Sequence, residues 1–228
     1  MKKEIVALIP VKGSSERVES KNIRPFHDTS LYELKLDQLK AVQGFANIIV
    51  SSEDDRMLEI AKEKGFGVHV RNPKYCTSSV PMSDVYSHIA SEIEGEHIAW
   101  VNVTNPLAGP EVYERAIEEY NTMPTEYDCL LSAYEVKDYL FHEGKPVNFK
   151  PNPWPKSQDL SGVLAMSFII NILRREDMVK WGSCVGSNSY FFCVDGVTST
   201  DVDFQEDFDF CEMVYKQRLS GVKPGKSE

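Results

Sequence analysis

Two short stretches of this chain carry residue types whose chemistry goes beyond what folding needs. The first is Lys12-Gly13-Ser14-Ser15-Glu16-Arg17, followed closely by Lys21-Asn22-Ile23-Arg24. Four basic residues fall within thirteen positions of a chain whose formal net charge is -10. Gly13 lets backbone come close to a ligand, Ser14 and Ser15 add hydroxyl donors, and Lys12, Arg17 and Lys21 supply positive charge. Together these make a triphosphate cradle. The spacing matches neither G-x-x-x-x-G-K-[ST] nor G-x-G-x-x-G, so neither common phosphate loop is present. The second stretch is Asp201-Val202-Asp203. Residues two apart on an extended segment point to the same side, so both carboxylates can face one divalent cation. Such hard oxygen donors suit Mg²⁺. Each stretch also has a plainer reading: a solvated loop in the first case, a helix cap at Asp203 with Asp201 in water in the second. Glu206, Asp207 and Asp209 continue the acidic run as the charge bias of a helix N-terminus.

The elements that must position these stretches follow from periodicity. Residues 5–9 form a continuous β-favouring apolar run, as in a strand covered on both faces. The basic segment leaves its end and extends over residues 12–26. Ser30-Leu31-Tyr32-Glu33 has the form of a capping box and opens a helix reaching about residue 43. Further strands are expected over 47–52, 68–70, 97–104, 128–136, 163–172 and 190–194. Helices are expected over 54–64, over 83–94, from Pro110, over 174–181 and over 204–219, the last with Asp203 as N-cap. This alternation implies an α/β fold: an open, mostly parallel Rossmann-like sheet with helices on both faces. Right-handed crossovers then gather the loops that follow the strands along one edge, where ligands bind. After residue 137 the pattern changes. Residues 139–149 alternate aromatics around Glu143-Gly144, a hairpin, and residues 151–159 carry three prolines, which no central strand or helix interior tolerates. Residues 138–160 therefore read as a small projecting annex on a single domain, with Trp154 on a partner surface.

Composition bounds the remaining possibilities. At 228 residues, 42% apolar and 26% charged, the chain can bury a large core without disulfide or metal staples. Its acidity repels nucleic-acid backbones and excludes non-specific binding to them. Five cysteines, an odd number with no C-x-x-C spacing, point to free thiols in a reducing compartment, the cytoplasm. The five histidines show no metal-ligand spacing, which argues against a zinc site. The apolar run behind Lys2-Lys3 meets Pro10 and Lys12 too soon to serve as a secretion signal or a membrane span.

Five segments carry a resemblance: IPVKGSSERVESKNIRPF (9–26), IIVSSEDDRMLEIAKEKG (48–65), VNVTNPLAGPE (101–111), Gln158-Asp159 and DVDFQEDFDF (201–210). They resemble the acylneuraminate cytidylyltransferase family, the CMP–sialic acid synthetases, with CMP–Kdo synthetases as more distant relatives. The likeness covers about residues 4 to 215. It implies that Gly13, Ser15, Arg17, Lys21 and Asn22 fall on positions that hold CTP, with Lys12 and Ser14 standing where the family has Arg and Gly. It puts Arg71 on a nucleotide-contacting Arg. Asn102, Thr104 and Asn105 fall at the sugar and ribose edge, Gln158 on the sugar side, and Asp201 and Asp203 on the metal-binding pair. Arg17, Lys21, Asp201 and Asp203 would carry catalysis. The implied reaction moves CMP from CTP to the anomeric hydroxyl of an acidic 2-keto sugar of the N-acylneuraminate type, releasing pyrophosphate, with Mg²⁺ as cofactor. The implied assembly is a homodimer through the annex. Two departures stand out. Glu16 reverses the charge of the family's Lys beside the triphosphate, and the family's Asn-Gly is replaced near Ala165-Met166 after a shortened stretch. They motivate alternatives: the same reaction on legionaminate, pseudaminate, Kdo or a phosphonate, or a nucleotide-binding relative without catalysis.

Overall fold

Residues 2–13, 18 and 20–221 are described by the computed structural model. The chain runs β1 (Ile5–Pro10), β2 (Pro25–Phe26), β3 (Thr29–Ser30), α1 (Leu31–Ala41), β4 (Asn47–Ser52), α2 (Asp55–Glu63), β5 (Gly67–Val70) and α3 (Met82–Glu92). It continues with β6 (His97–Trp100), α4 (Pro110–Thr122), β7 (Cys129–Glu135), β8 (Phe141–His142), β9 (Lys145–Pro146), β10 (Leu164–Arg174), α5 (Arg175–Trp181), β11 (Ser189–Cys193) and α6 (Gln205–Leu219). Seven strands make one sheet in the order β11-β7-β10-β6-β1-β4-β5. β10 alone runs antiparallel to its neighbours β6 and β7. The expected open, mostly parallel α/β sheet is what the chain forms.

β1 shows why both faces need helices. Ile5 and Ile9 pack with Tyr32, Leu36 and Leu39 of α1, Met57 of α2, and Tyr113 and Ile117 of α4. The alternate residues Val6 and Leu8 pack on the other face with Val85 and Ile89 of α3 and Met178 of α5. A period of two along the strand thus becomes two hydrophobic layers. Full burial of one such aliphatic side chain stabilises the fold by about 1.5–3 kcal/mol.

A third, smaller cluster sits beside these layers. Phe208 and Cys211 of α6 pack with Phe26, Leu31, Leu34, Leu107 and Val202. Phe26 meets Phe208 edge-on at 5.3 Å between ring centroids, and the Arg24 guanidinium lies 4.2 Å from the Phe208 ring centre. This cluster docks the last helix on the β2–β3 hairpin, which itself lies at the end of the basic segment. It therefore brings the two ends of the chain together.

Several boundaries differ from the sequence reading. The strand expected to reach residue 104 ends at Trp100, because residues 101–108 turn away at the sheet edge. β7 and β10 are the arms of one long hairpin, continued by Val136 N–H donating to Val163 O at 3.0 Å. The annex sits at its tip, so the chain re-enters the sheet pointing backwards, which a connection between antiparallel neighbours requires. Within the annex, β8 and β9 form the expected hairpin about Glu143 and Gly144. Asp203 is not the cap of α6. Phe204 occupies that position, and the Asp207 carboxylate accepts from the N–H groups of Asp203 and Phe204 at 3.0 and 2.8 Å. The Asp203 carboxylate instead lies 3.7 Å from the Lys21 ammonium.

Candidate active site

The loop after β1 is shaped from behind by residues that follow β4 and β5. Arg71, 2% exposed, donates from Nη2 to Val11 O at 2.6 Å and to the Glu53 carboxylate at 3.2 Å, and from Nε to Cys76 Sγ at 3.1 Å. Glu53 accepts from Gly13 N–H at 3.1 Å. Burial alone would raise the Glu53 carboxyl, but its hydrogen bonds from backbone N–H groups, Cys76 and Arg71 outweigh that and hold it below the usual range. A Cβ on Gly13 would run into the Asp54 carboxylate, so any larger residue there has to displace that side chain. Asn22 fixes the far side of the loop: its Nδ2 donates to Lys12 O at 3.1 Å, and its own carbonyl accepts from Tyr32 N–H at 2.9 Å.

A cavity of about 740 Å³ opens between this loop, residues 100–104 and the segment before α6. Lys12, Lys21, Asn22, Arg71, Asn102, Thr104, Asp201 and Asp203 all line it. The two stretches singled out by their chemistry therefore meet across one space. The Lys21 ammonium lies 3.7 Å from an Asp203 carboxylate oxygen and donates to Val202 O at 2.5 Å. Val202 is fully buried in the third cluster, while its neighbours Asp201 and Asp203 are half-buried and both line the cavity. Val202 N–H donating to Thr104 O at 2.8 Å anchors the segment to the loop after β6. Paired carboxylates beside lysines, in a cleft large enough for a nucleotide, can hold polyphosphate and a hard divalent ion together.

Other expected site residues lie elsewhere. Asn105 does not line the cavity; it is 0% exposed, and its Nδ2 donates to Ser199 O and Thr200 O at 3.4 and 3.2 Å. Its side chain is thus turned inward as part of the scaffold, away from a sugar. Gln158 is exposed in a short 3₁₀ turn, Ser157–Asp159, that is not part of the cavity wall. Gly13 stands behind the wall rather than in it. Ser14, Ser15, Glu16 and Arg17 lie outside the described residues. The structure also adds residues that sequence reasoning missed. Tyr75, Val80, Met82, Tyr86 and Phe168 give the cavity an apolar side suited to a planar base or the body of a sugar. Trp100 of β6 is 2% exposed yet reaches the cavity, its indole N–H donating to Asn102 Oδ1 at 3.1 Å.

The fold also gathers two of the scattered histidines. His69 Nε2 lies 2.7 Å and His88 Nδ1 3.4 Å from the Glu92 carboxylate, while His69 Nδ1 meets Ser51 Oγ at 2.9 Å. His88 Nε2 is buried with no hydrogen-bond partner, and burial lowers the pKa of this ring. The trio links β4 and β5 to α3 through Ser51, His69, His88 and Glu92.

Comparison with known proteins gives a consistent picture. The family model described as cytidylyltransferase matches residues 6–156. Post-translational flagellin modification protein B of Campylobacter coli is 24% identical over 94% of this chain and 96% of its own length. Pseudaminic acid cytidylyltransferase of Campylobacter jejuni is 21% identical over 92% of this chain and 96% of its own. N-acylneuraminate cytidylyltransferase A of Danio rerio is 22% identical over 92% of this chain and 50% of its own, so the chain spans about half of that relative. Among solved structures, CMP:2-keto-3-deoxy-manno-octonic acid synthetase complexed with CTP is similar with a TM-score of 0.71 at 14% identity, over 95% of this chain and 100% of the other. A 4-diphosphocytidyl-2C-methyl-D-erythritol synthase from Anaerococcus prevotii is similar at 0.66 and 14%, over 94% of this chain and 97% of its own. At these identities the structural likeness speaks to the fold.

Proposed function

The chain belongs to the cytidylyltransferase family, and from that premise we propose that it transfers CMP from CTP to the anomeric hydroxyl of an acidic 2-keto sugar. The observation that carries this reading is the meeting of Lys21 with the Asp201-Val202-Asp203 segment across one cavity. Lys12 and Lys21 neutralise the triphosphate, and the apolar side at Val80, Met82 and Tyr86 receives the base. The sugar hydroxyl oxygen attacks the α-phosphorus and forms a new P–O bond. The bond to the bridging oxygen breaks in line, and pyrophosphate leaves with that electron pair. The hydroxyl proton passes to a cavity carboxylate or to solvent. Catalysis of this kind is positioning and charge neutralisation, and no covalent enzyme intermediate is needed.

Asp201 and Asp203 fit a Mg²⁺ ion: they are hard oxygen donors, two apart in sequence, and both line the cavity beside Lys21. When bound, that ion supplies electrostatic stabilisation of the phosphate oxygens. The acceptor class is supported by relatives named for N-acylneuraminate and pseudaminic acid. N-acylneuraminate is the first candidate, and legionaminate, pseudaminate, Kdo or a phosphonate are the alternatives. The protein acts in the cytoplasm as a homodimer. Among the described residues no helix is long and apolar enough to cross a membrane, and the five cysteines are free thiols. The dimer contact is placed on the annex, where Tyr139, Phe149 and Trp154 pack with ring centroids 5.0–5.1 Å apart and Phe141 and Trp154 are each 60% exposed.

The test is pyrophosphate release from CTP and Mg²⁺ across a panel of these acids, with Asp203→Ala alongside. The variant is expected to keep its melting temperature and lose about 100-fold or more in turnover. CTP binding without turnover on any acid would leave only a binding protein, and near-normal activity of Asp203→Ala would remove the metal from the scheme.

A further inference from the structure

Lys35 sits on the core-facing side of α1 with 0% exposure. Its Nζ donates to Asn105 O at 2.9 Å and to the Tyr113 hydroxyl, and lies 4.9 Å from the centre of the Tyr113 ring. A methionine would fill this volume without the cost of burying an amine, which is several kcal/mol for a charged group. Packing alone therefore does not account for the residue. What the amine supplies is a donor for a buried carbonyl, that of Asn105.

Asn105 extends this connection toward the cavity. Its Nδ2 donates to Ser199 O and Thr200 O, the two residues immediately before Asp201. Its neighbour Thr104 accepts from Val202 N–H, between the two aspartates. The helix that carries Lys35 also holds the other wall, since Tyr32 N–H donates to Asn22 O and Asn22 in turn to Lys12 O. The basic arm and the aspartate pair are thus tied to the same rigid element.

We propose that Lys35 and Asn105 are positioning residues: neither lines the cavity, and together they fix where the Asp201 and Asp203 carboxylates stand. Burial lowers the Lys35 amine to about 7, and an amine keeps two N–H donors even when neutral, so both of its bonds survive deprotonation. The kinetic arm of this proposal rests on the cytidylyl-transfer reading; its structural arm does not.

The experiment compares Lys35→Met, Asn105→Ala and the double variant. Hydrogen exchange of the peptide spanning residues 199–203 is the structural readout. Each single variant is expected to speed exchange of the Val202 amide at least about 10-fold while amides of β1 and β6 stay protected. In the kinetic readout, kcat falls about 10- to 100-fold with KM for CTP changed less than about 3-fold, the mark of misplaced groups rather than lost binding. The double variant is expected to lose no more than the worse single, because both act on one segment. Unchanged exchange at Val202 in both singles, or additive losses in the double, would overturn the proposal. If Lys35→Met fails to fold, Asn105→Ala alone decides through the same exchange measurement. If wild type turns over no acidic sugar while Val202 exchange responds as expected, the cytidylyl-transfer reading fails and the positioning role stands.

Discussion

Lys21→Met is the sharpest single perturbation of the site. The lysine side chain is 11% exposed and Asp203 is 37% exposed, with 3.7 Å between their charges. At that distance two unit charges attract by about 4 kcal/mol at an effective dielectric of ~20. Solvent reaching Asp203 reduces this to about 1 kcal/mol or below in the free protein, and the lost bond to Val202 O adds about 1–3 kcal/mol to the fall in folding stability. With a triphosphate in the cavity the balance differs, because Lys21 then faces phosphate in a closed, less screened space. One charge-assisted hydrogen bond there contributes about 1.5–3 kcal/mol. Lost from the transition state, that is roughly a 10- to 150-fold fall in kcat/KM. Initial rates of pyrophosphate release at fixed acidic sugar and varied CTP, with thermal melts of both proteins, measure the two effects separately. A variant within about 3-fold of wild type in kcat/KM would refute the idea that the basic arm and the aspartates act on one phosphate chain.

Two further outcomes follow from burial. Phe208→Ala empties the centre of the third cluster, where Phe208 is 3% exposed, and should cost about 3–5 kcal/mol in urea unfolding; a loss under about 1 kcal/mol would show that α6 is not docked through this ring. Lys35 has a folded-state value near 7 against an ordinary 10.5. Between those values the unfolded chain holds a proton the folded chain has released. This contribution to stability therefore rises with pH from about 7 to 10.5, by at most about 1.4 kcal/mol per pH unit, and is lost as pH falls through 7. Melts of wild type and Lys35→Met from pH 6 to about 10 should converge or diverge accordingly, and a pH-independent difference would contradict the shift.

The parts of the architecture that depend on local pattern were readable before any coordinates. Ser30 and Glu33 do form the capping pair that opens α1, with Ser30 Oγ accepting from Glu33 N–H at 3.2 Å. The alternation in β1 does sort its residues between two helical layers. Lys12, Lys21, Asn22, Asp201 and Asp203 could be named from residue type and resemblance, and the fold brings them to one cavity. What escaped was decided by long-range contact. The backward run of β10 depends on where the annex returns the chain, not on the composition of residues 164–174. Asp203 looked like a cap because it precedes a helix, yet Phe204 takes that position and Asp207 reaches back to the N–H groups of Asp203 and Phe204. Asn105 carries the same side chain whether it meets a sugar or two carbonyls, and only the approach of residues 199–200 settles which. The apolar side of the cavity is assembled from the segment around Tyr75 and Val80, from Met82 and Tyr86 of α3 and from Phe168 of β10, which only the fold brings together.

The hairpin of β7 and β10 has one more implication. Val136 and Val163 are hydrogen-bonded neighbours, so the sheet does not register how many residues lie between them. Insertions, deletions or a wholesale exchange of residues 138–160 leave the strand order as it is. Because β7 runs parallel to β1 and β6, the annex rises from the same sheet edge as the basic segment and residues 101–104, so a change in its length alters the surroundings of the cavity without altering the sheet.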